Sequence, residues 1–272
     1  MRMAIGLLLA LLLCTPTLVL AVPDETGTDL AAVAPHDDPG DPCGQCLDPN
    51  NPNEWGLAFK DGDLWEVNRS VYAVHRLDEN CQIVETISLN TSTYALGLGY
   101  DSVRDLWICD NPGSDIMMIF DMSGNLVDQW STAAYGCPGP VGTTYDSTRD
   151  LYVSCCWETN GLYMWNPDGT FAGSMPVPAG SRLAGLGYDA HSDAYCYGGR
   201  DQAYMYWISA ESGALLAQAP VPMGGGNNCH GTACEADGTH NAWITHYEEP
   251  NLFCVEGLGA TATESVTWGE LK

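Results

Sequence analysis

Five segments of this chain repeat one order of residues, and that periodicity constrains the fold more than any other feature. They read GLAFKDGDLWEV from Gly56, GLGYDSVRDLWIC from Gly97, GTTYDSTRDLYVSC from Gly142, GLGYDAHSDAYCY from Gly185 and GTACEADGTHNAWIT from Gly231. The starts lie 41, 45, 43 and 46 residues apart. One aligned place holds Phe59, Tyr100, Tyr145 and Tyr188, with Cys234 as the exception. Another holds Trp65, Trp107, Tyr152, Tyr195 and Trp243, each preceded two positions earlier by Asp63, Asp105, Asp150, Asp193 or Asn241.

Each segment reads as two short strands joined by a tight turn. Asp and Ser bond back to their own backbone and favour turning, while aromatic and β-branched residues suit pleated flanks. A second hairpin follows in every unit, with third strands expected at Val71–Leu77, Ile116–Asp121, Leu162–Asn166, Met205–Ser209 and Leu252–Glu256. Closing strands follow, such as Ile83–Leu89, Leu126–Ser131 and Thr263–Trp268. Four antiparallel strands per unit of about 40–45 residues is the pattern of propeller blades. A β-sandwich also uses short strands, but it would not repeat one residue order five times. The expectation is an all-β, five-bladed β-propeller of four-stranded antiparallel blades over residues 55–268. No spare strand is evident before Gly56, so the ring is expected to close through side-chain packing or disulfides.

The ends and the charge bound the setting. Arg2, the apolar run Ala4 to Leu13 and the small residues at Val19-Leu20-Ala21 have the layout of a cleaved secretory signal, residues 1–21. The apolar run is too short for a good membrane anchor, and no later stretch can span a bilayer, so the mature chain is expected to be secreted or periplasmic. Residues 22–54, rich in Asp, Pro, Gly and Ala, read as a flexible leader. Losing Arg2 leaves 8 basic against 35 acidic residues, a net charge near −27. Such a surface repels phosphate backbones and anionic lipid, which argues against nucleic-acid partners.

Twelve cysteines become eleven when Cys14 is removed with the signal. Export implies disulfides, and an odd number leaves at least one thiol unpaired within a monomer. Cys43-Gly44-Gln45-Cys46 lacks the strand-then-helix context of a redox pair and is half of a zinc site. It points to a local disulfide or to pairing into the propeller. Adjacent Cys155 and Cys156 call for different partners, with Cys137 a candidate for one of them.

The pattern GLGYDS from Gly97, DLWI from Asp105 and FD at Phe120-Asp121 with SGNLV from Ser123 resembles secreted NHL and gluconolactonase-like propeller repeats. The resemblance covers about residues 55–268 and implies the fold. Through the lactonases it also implies a divalent cation held at the central channel. Plant-type glutaminyl cyclases are five-bladed and of similar length, but their glutamate-rich blade motifs are not evident here.

Loops that vary over a repeated scaffold are where binding residues gather. Those expected at one mouth of the channel offer Trp55, Asn68, Arg69, Asp115, Trp157, Asn160, Arg200, His230, His246 and Glu248 as ligand-binding candidates. Asp110, Glu158 and Asp201 would supply oxygen ligands for Ca²⁺ or Mg²⁺, and they equally fit ordinary loop acids. Asp101, Asp146 and Asp189 recur with the turn and read as hairpin geometry. No G-x-S-x-G, H-E-x-x-H or P-loop pattern is present. Two readings follow: a binding or scaffold propeller for a small molecule, glycan or protein, and a metal-dependent hydrolase of the lactonase type. A His near carboxylates, such as His230 or His246, would be the general base of the second.

Overall fold

A computed structural model of the chain describes residues 39–47, 54–178, 183–199, 204–221, 229–235, 239–246 and 251–259. It is a five-bladed β-propeller of four-stranded antiparallel sheets. Blade I holds β2 (Glu54–Lys60), β3 (Asp63–Asn68), β4 (Ala73–Leu77) and β5 (Ile83–Ser88). Blade II holds β6 (Leu98–Asp101), β7 (Leu106–Asn111), β8 (Ile116–Asp121) and β9 (Leu126–Ser131). Blade III runs through β10 (Pro140–Asp146), β11 (Leu151–Cys156), β12 (Gly161–Trp165) and β13 (Phe171–Pro176). Blade IV has β14 (Leu183–Asp189), β15 (Ala194–Gly199), β16 (Tyr204–Ser209) and β17 (Leu215–Pro220). Blade V orders β18 (Cys229–Cys234), β19 (Ala242–His246) and β20 (Asn251–Val255), with β1 (Pro42–Leu47) at its outer edge.

β1 corrects the expectation about closure. It pairs antiparallel with β20, setting Gly44 opposite Cys254 and Leu47 opposite Asn251. A strand from before the first repeat therefore completes the last blade. Part of the expected leader is thus a strand, and the fourth place expected for Thr263–Trp268 is filled by it. Residues 263–268 lie outside the described residues. Two disulfides reinforce the backbone pairing. Cys43–Cys254 ties β1 to its neighbour, and Cys46–Cys81 ties it to the β4–β5 turn of blade I. PCGQCL has no alternation of large apolar groups, so the usual strand signal is missing and the cysteines hold the segment instead.

The first strand of every blade lines the channel, and the repeat's leading glycine marks the tightest point there. A Cβ at Gly142 would stand 2.7 Å from the Gly185 backbone of the next blade. Only a residue without one lets five inner strands meet.

Farther out, blades are joined by aromatic packing and by a recurring acid. Trp65 and Trp107, from blades I and II, pack with ring centroids 5.0 Å apart, and Trp107 is fully buried. Asp101 caps its own turn through the Val103 and Arg104 amides and accepts the Tyr152 hydroxyl from blade III. Asp146 does the same with Thr148, Arg149 and Tyr195 of blade IV. The hairpin aspartates are therefore turn formers, as expected, and also bind the next blade. The second aspartate of each turn, at Asp105, Asp150 and Asp193, sits at φ 55°, 55° and 49°. That left-handed position is one Asp tolerates better than most residues.

Candidate functional site

The channel has two ends, and each blade contributes differently to them. The turn end carries the hairpin turns just described. The loop end carries the starts of the inner strands and the loops between second and third strands. Near the start of four of the five inner strands the ladder slips by one residue, between Glu54 and Gly56, Pro140 and Gly142, Ala184 and Gly187, and Cys229 and Gly231. Bulges re-aim side chains. Three of them fall at Trp55, Val141 and His230.

Trp55 and His230 meet across the seam between the first and last blades, with ring centroids 4.0 Å apart. Trp157, from the loop after β11 on blade III, brings its ring to 6.2 Å from Trp55. The Arg69 guanidinium, just past β3, lies 5.0 Å over the Trp55 ring. Trp55 and His230 are buried, whereas Trp157 and Arg69 are partly exposed. The Trp55 carbonyl accepts the Thr245 hydroxyl of blade V at 3.1 Å, which fixes the backbone beneath the rings. Three blades thus supply three aromatic rings and one cation to one place. Such a cluster offers stacking area, a cation–π contact and a partly exposed arginine for oxygen acceptors.

The other residues expected at this end do different work. Asn68 accepts the Ser70 and Val71 amides and shapes the β3–β4 turn. Asp115 accepts the Gly139 amide at 2.7 Å and ties two loops together. Glu158 and Asn160 are exposed in the β11–β12 loop. His246 ends β19. Arg200, Asp201 and Glu248 lie outside the described residues.

Asp110 is fully buried rather than presented at a mouth. Its Oδ1 accepts the Gly97 amide at 2.8 Å. The Ser154 hydroxyl and Gly142 amide also approach the carboxylate, but neither meets Oδ2 at full hydrogen-bond geometry. Burial outweighs these contacts and pushes the carboxyl up to about 7. Among the described residues, no three His, Cys, Asp or Glu side chains stand close enough to hold a metal ion.

A second feature was not visible in the repeat alone. The turn end of the channel opens as a funnel lined from all five blades, including Leu57, Phe59, Tyr100, Tyr145 and Thr232. Its small or hydroxyl-bearing positions, Gly99, Thr144 and Gly187, lie on inner strands among larger residues. That interleaving is the sequence signal that could have revealed it.

Cysteine pairing bears out two expectations. Cys43 and Cys46 pair into the propeller rather than with each other, and Cys137 pairs with Cys156. Cys196 and Cys234 form a fourth close pair, with both sulfurs 3.0 Å from the same point beside Gly187. Three disulfides and a fourth close cysteine pair fit an oxidising compartment. Among the described residues no helix is long and apolar enough to cross a membrane.

No protein-family model matches the chain, and no curated protein matches it. Solved structures do. A Myxococcus xanthus glutaminyl cyclase superposes with a TM-score of 0.64 at 16% identity, over 78% of this chain and 94% of that one. The Staphylococcus aureus virginiamycin B lyase, in a catalytically inactive form with quinupristin, gives 0.51 at 14% identity, over 76% and 68%. A chain of a nidogen–laminin complex gives 0.51 at 16% identity, over 72% and 72%. Two of these names denote enzymes and one a protein complex, so at such identities the likeness extends to architecture and no further. The chain is a five-bladed β-propeller whose ring is sealed by a strand from before its first repeat.

Proposed function

We propose that this chain is an exported binding propeller that takes a glycan or peptide at the loop end of its channel. The observation that supports this is the convergence of Trp55, Trp157, His230 and Arg69 from three blades. Partly exposed aromatic and arginine side chains over a rigid, buried support are the residues that dominate recognition surfaces. Trp157 and Arg69 offer the contact area, while Trp55 and His230 hold them in place from below. Export is supported by the leading apolar segment of the sequence and by the disulfides. The test is an array of glycans and peptides probed with the mature chain and with Trp157→Ala and Arg69→Ala. The reading expects a set of related ligands whose binding falls at least about tenfold in both variants, as for loss of a central aromatic or arginine contact. Binding unaffected by either variant would count against it.

One observation favours the hydrolase reading. A carboxyl brought near neutrality, as at Asp110, is what a general base requires. Its complete burial and amide contact fit a structural role better. Calorimetric titration with Ca²⁺ and Mg²⁺, before and after chelation, separates the two. Saturable binding that Glu158→Gln or Asp201→Asn abolishes would support the hydrolase.

A further inference from the structure

We infer that the funnel at the turn end is a second binding site, separate from the loop-end cluster, for a small organic ammonium ion with an apolar or aromatic body. Its cavity volume is about 190 Å³, smaller than a drug-sized pocket but above the roughly 150 Å³ of an engineered cavity that takes up benzene, so it has room for a single-ring ligand. Its walls are apolar below and polar above. Leu57, Leu98 and the Phe59, Tyr100 and Tyr145 rings line it, with Asp61, Ser102 and Ser147 at the turns. Thr232 also lines it, is 1% exposed, and its hydroxyl has no hydrogen-bond partner of full geometry apart from the weak Cys229 thiol.

Charge selects the sign of the ligand. Lys60 is shared between Asp61 and Asp105 at 2.6 and 3.4 Å. Arg104 is shared between Asp101 and Asp150, and Arg149 between Asp146 and Asp193. Three cations are thus divided among six carboxylates of the turn end, a surplus of negative charge on the side where Asp61 lines the funnel. Asp61 is the most exposed of these acids, at 75% of its side chain. Low-dielectric walls focus such a field, and the whole chain carries −26. An ammonium group would sit at the rim near Asp61, Ser102 and Ser147. Its apolar body would lie against the rings, and a terminal hydroxyl would reach Thr144.

The probes are tyramine, its neutral isostere 2-(4-hydroxyphenyl)ethanol and the anion 4-hydroxyphenylacetate, titrated into the mature chain by calorimetry at low and high salt. Tyramine should bind, the alcohol at least about tenfold more weakly, and the anion not at all. Binding should weaken with salt and about threefold or more in Asp61→Asn. Ser147→Trp, at an exposed rim position, should abolish binding, with Ser102→Trp as the substitute if the first variant fails to fold. Trp157→Ala should leave it unchanged. No tyramine binding, equal binding of the alcohol, or binding retained in a folded rim-tryptophan variant would overturn the inference. Loss in Trp157→Ala would place the ligand at the wrong end and overturn it equally.

Discussion

Tyr152 donates its hydroxyl to Asp101 at 2.7 Å, across the boundary between blades III and II. Asp101 is fully buried and at the same time accepts two amides of its own turn and the Arg104 guanidinium at 2.9 Å. Tyr195 and Asp146 repeat the arrangement one blade on, at 2.6 Å. One residue of the repeat thus fixes a turn and joins two blades. Where the last repeat departs from the pattern, His240 takes the tyrosine's role and bonds Asp189 through Nδ1 at 2.8 Å.

Removing only the hydroxyl should therefore be measurable. Tyr152→Phe is expected to cost about 1–2 kcal/mol on denaturant unfolding, because Asp101 keeps its other donors. Trp107→Ala should cost about 3–5 kcal/mol, since it empties a fully buried contact between blades. A loss below about 1 kcal/mol for Trp107→Ala would contradict its place in the core.

Asp110 predicts an unusual pH profile. Burial holds its carboxyl up to about 7 in the folded chain, against roughly 3.9 when unfolded. The folded state thus binds this proton more tightly. Its contribution is fully present below about pH 4 and is lost as pH rises through about 7. The loss is on the order of 4 kcal/mol. The difference in unfolding free energy between Asp110→Asn and the parent chain, measured from pH 4 to 8, should swing toward the variant as pH rises. A difference that stays flat across that window would show that the carboxyl is not perturbed.

The blade count and the inter-blade aromatics were legible because propeller geometry repeats its demands. Gly142, Tyr145, Asp146 and Tyr152 each serve one fixed place in the ring, so periodicity exposes them. β1 was not legible, because it belongs to the last repeat in space and to no repeat in sequence. The loop-end cluster was legible in part. Trp55, Arg69, Trp157 and His230 stand out as variable residues on a constant scaffold. Nothing in the sequence distinguishes them from Asn68 and Asp115, whose side chains are taken up by nearby amides. Asp110 was misplaced for a similar reason: its loop-like neighbours conceal that it lies within the buried strand β7.

The thiols give a countable outcome. Eleven cysteines follow Cys14; three disulfides account for six and the close Cys196–Cys234 pair, once joined, for two more, leaving Cys109, Cys155 and Cys229. All three are buried, and burial raises each thiol. In the native chain they should resist thiol reagents, and after denaturation without reductant three should react. Five reactive thiols would mean that Cys196 and Cys234 are not joined.

Closure by β1 is the central claim, since it seals the ring and brings Trp55 of blade I against His230 of blade V. Peptide mapping of the unreduced chain by mass spectrometry tests it most directly. The account predicts Cys43 linked to Cys254, 211 residues away, and Cys46 linked to Cys81. A local Cys43–Cys46 bridge would release β1 from both neighbours and contradict the closure.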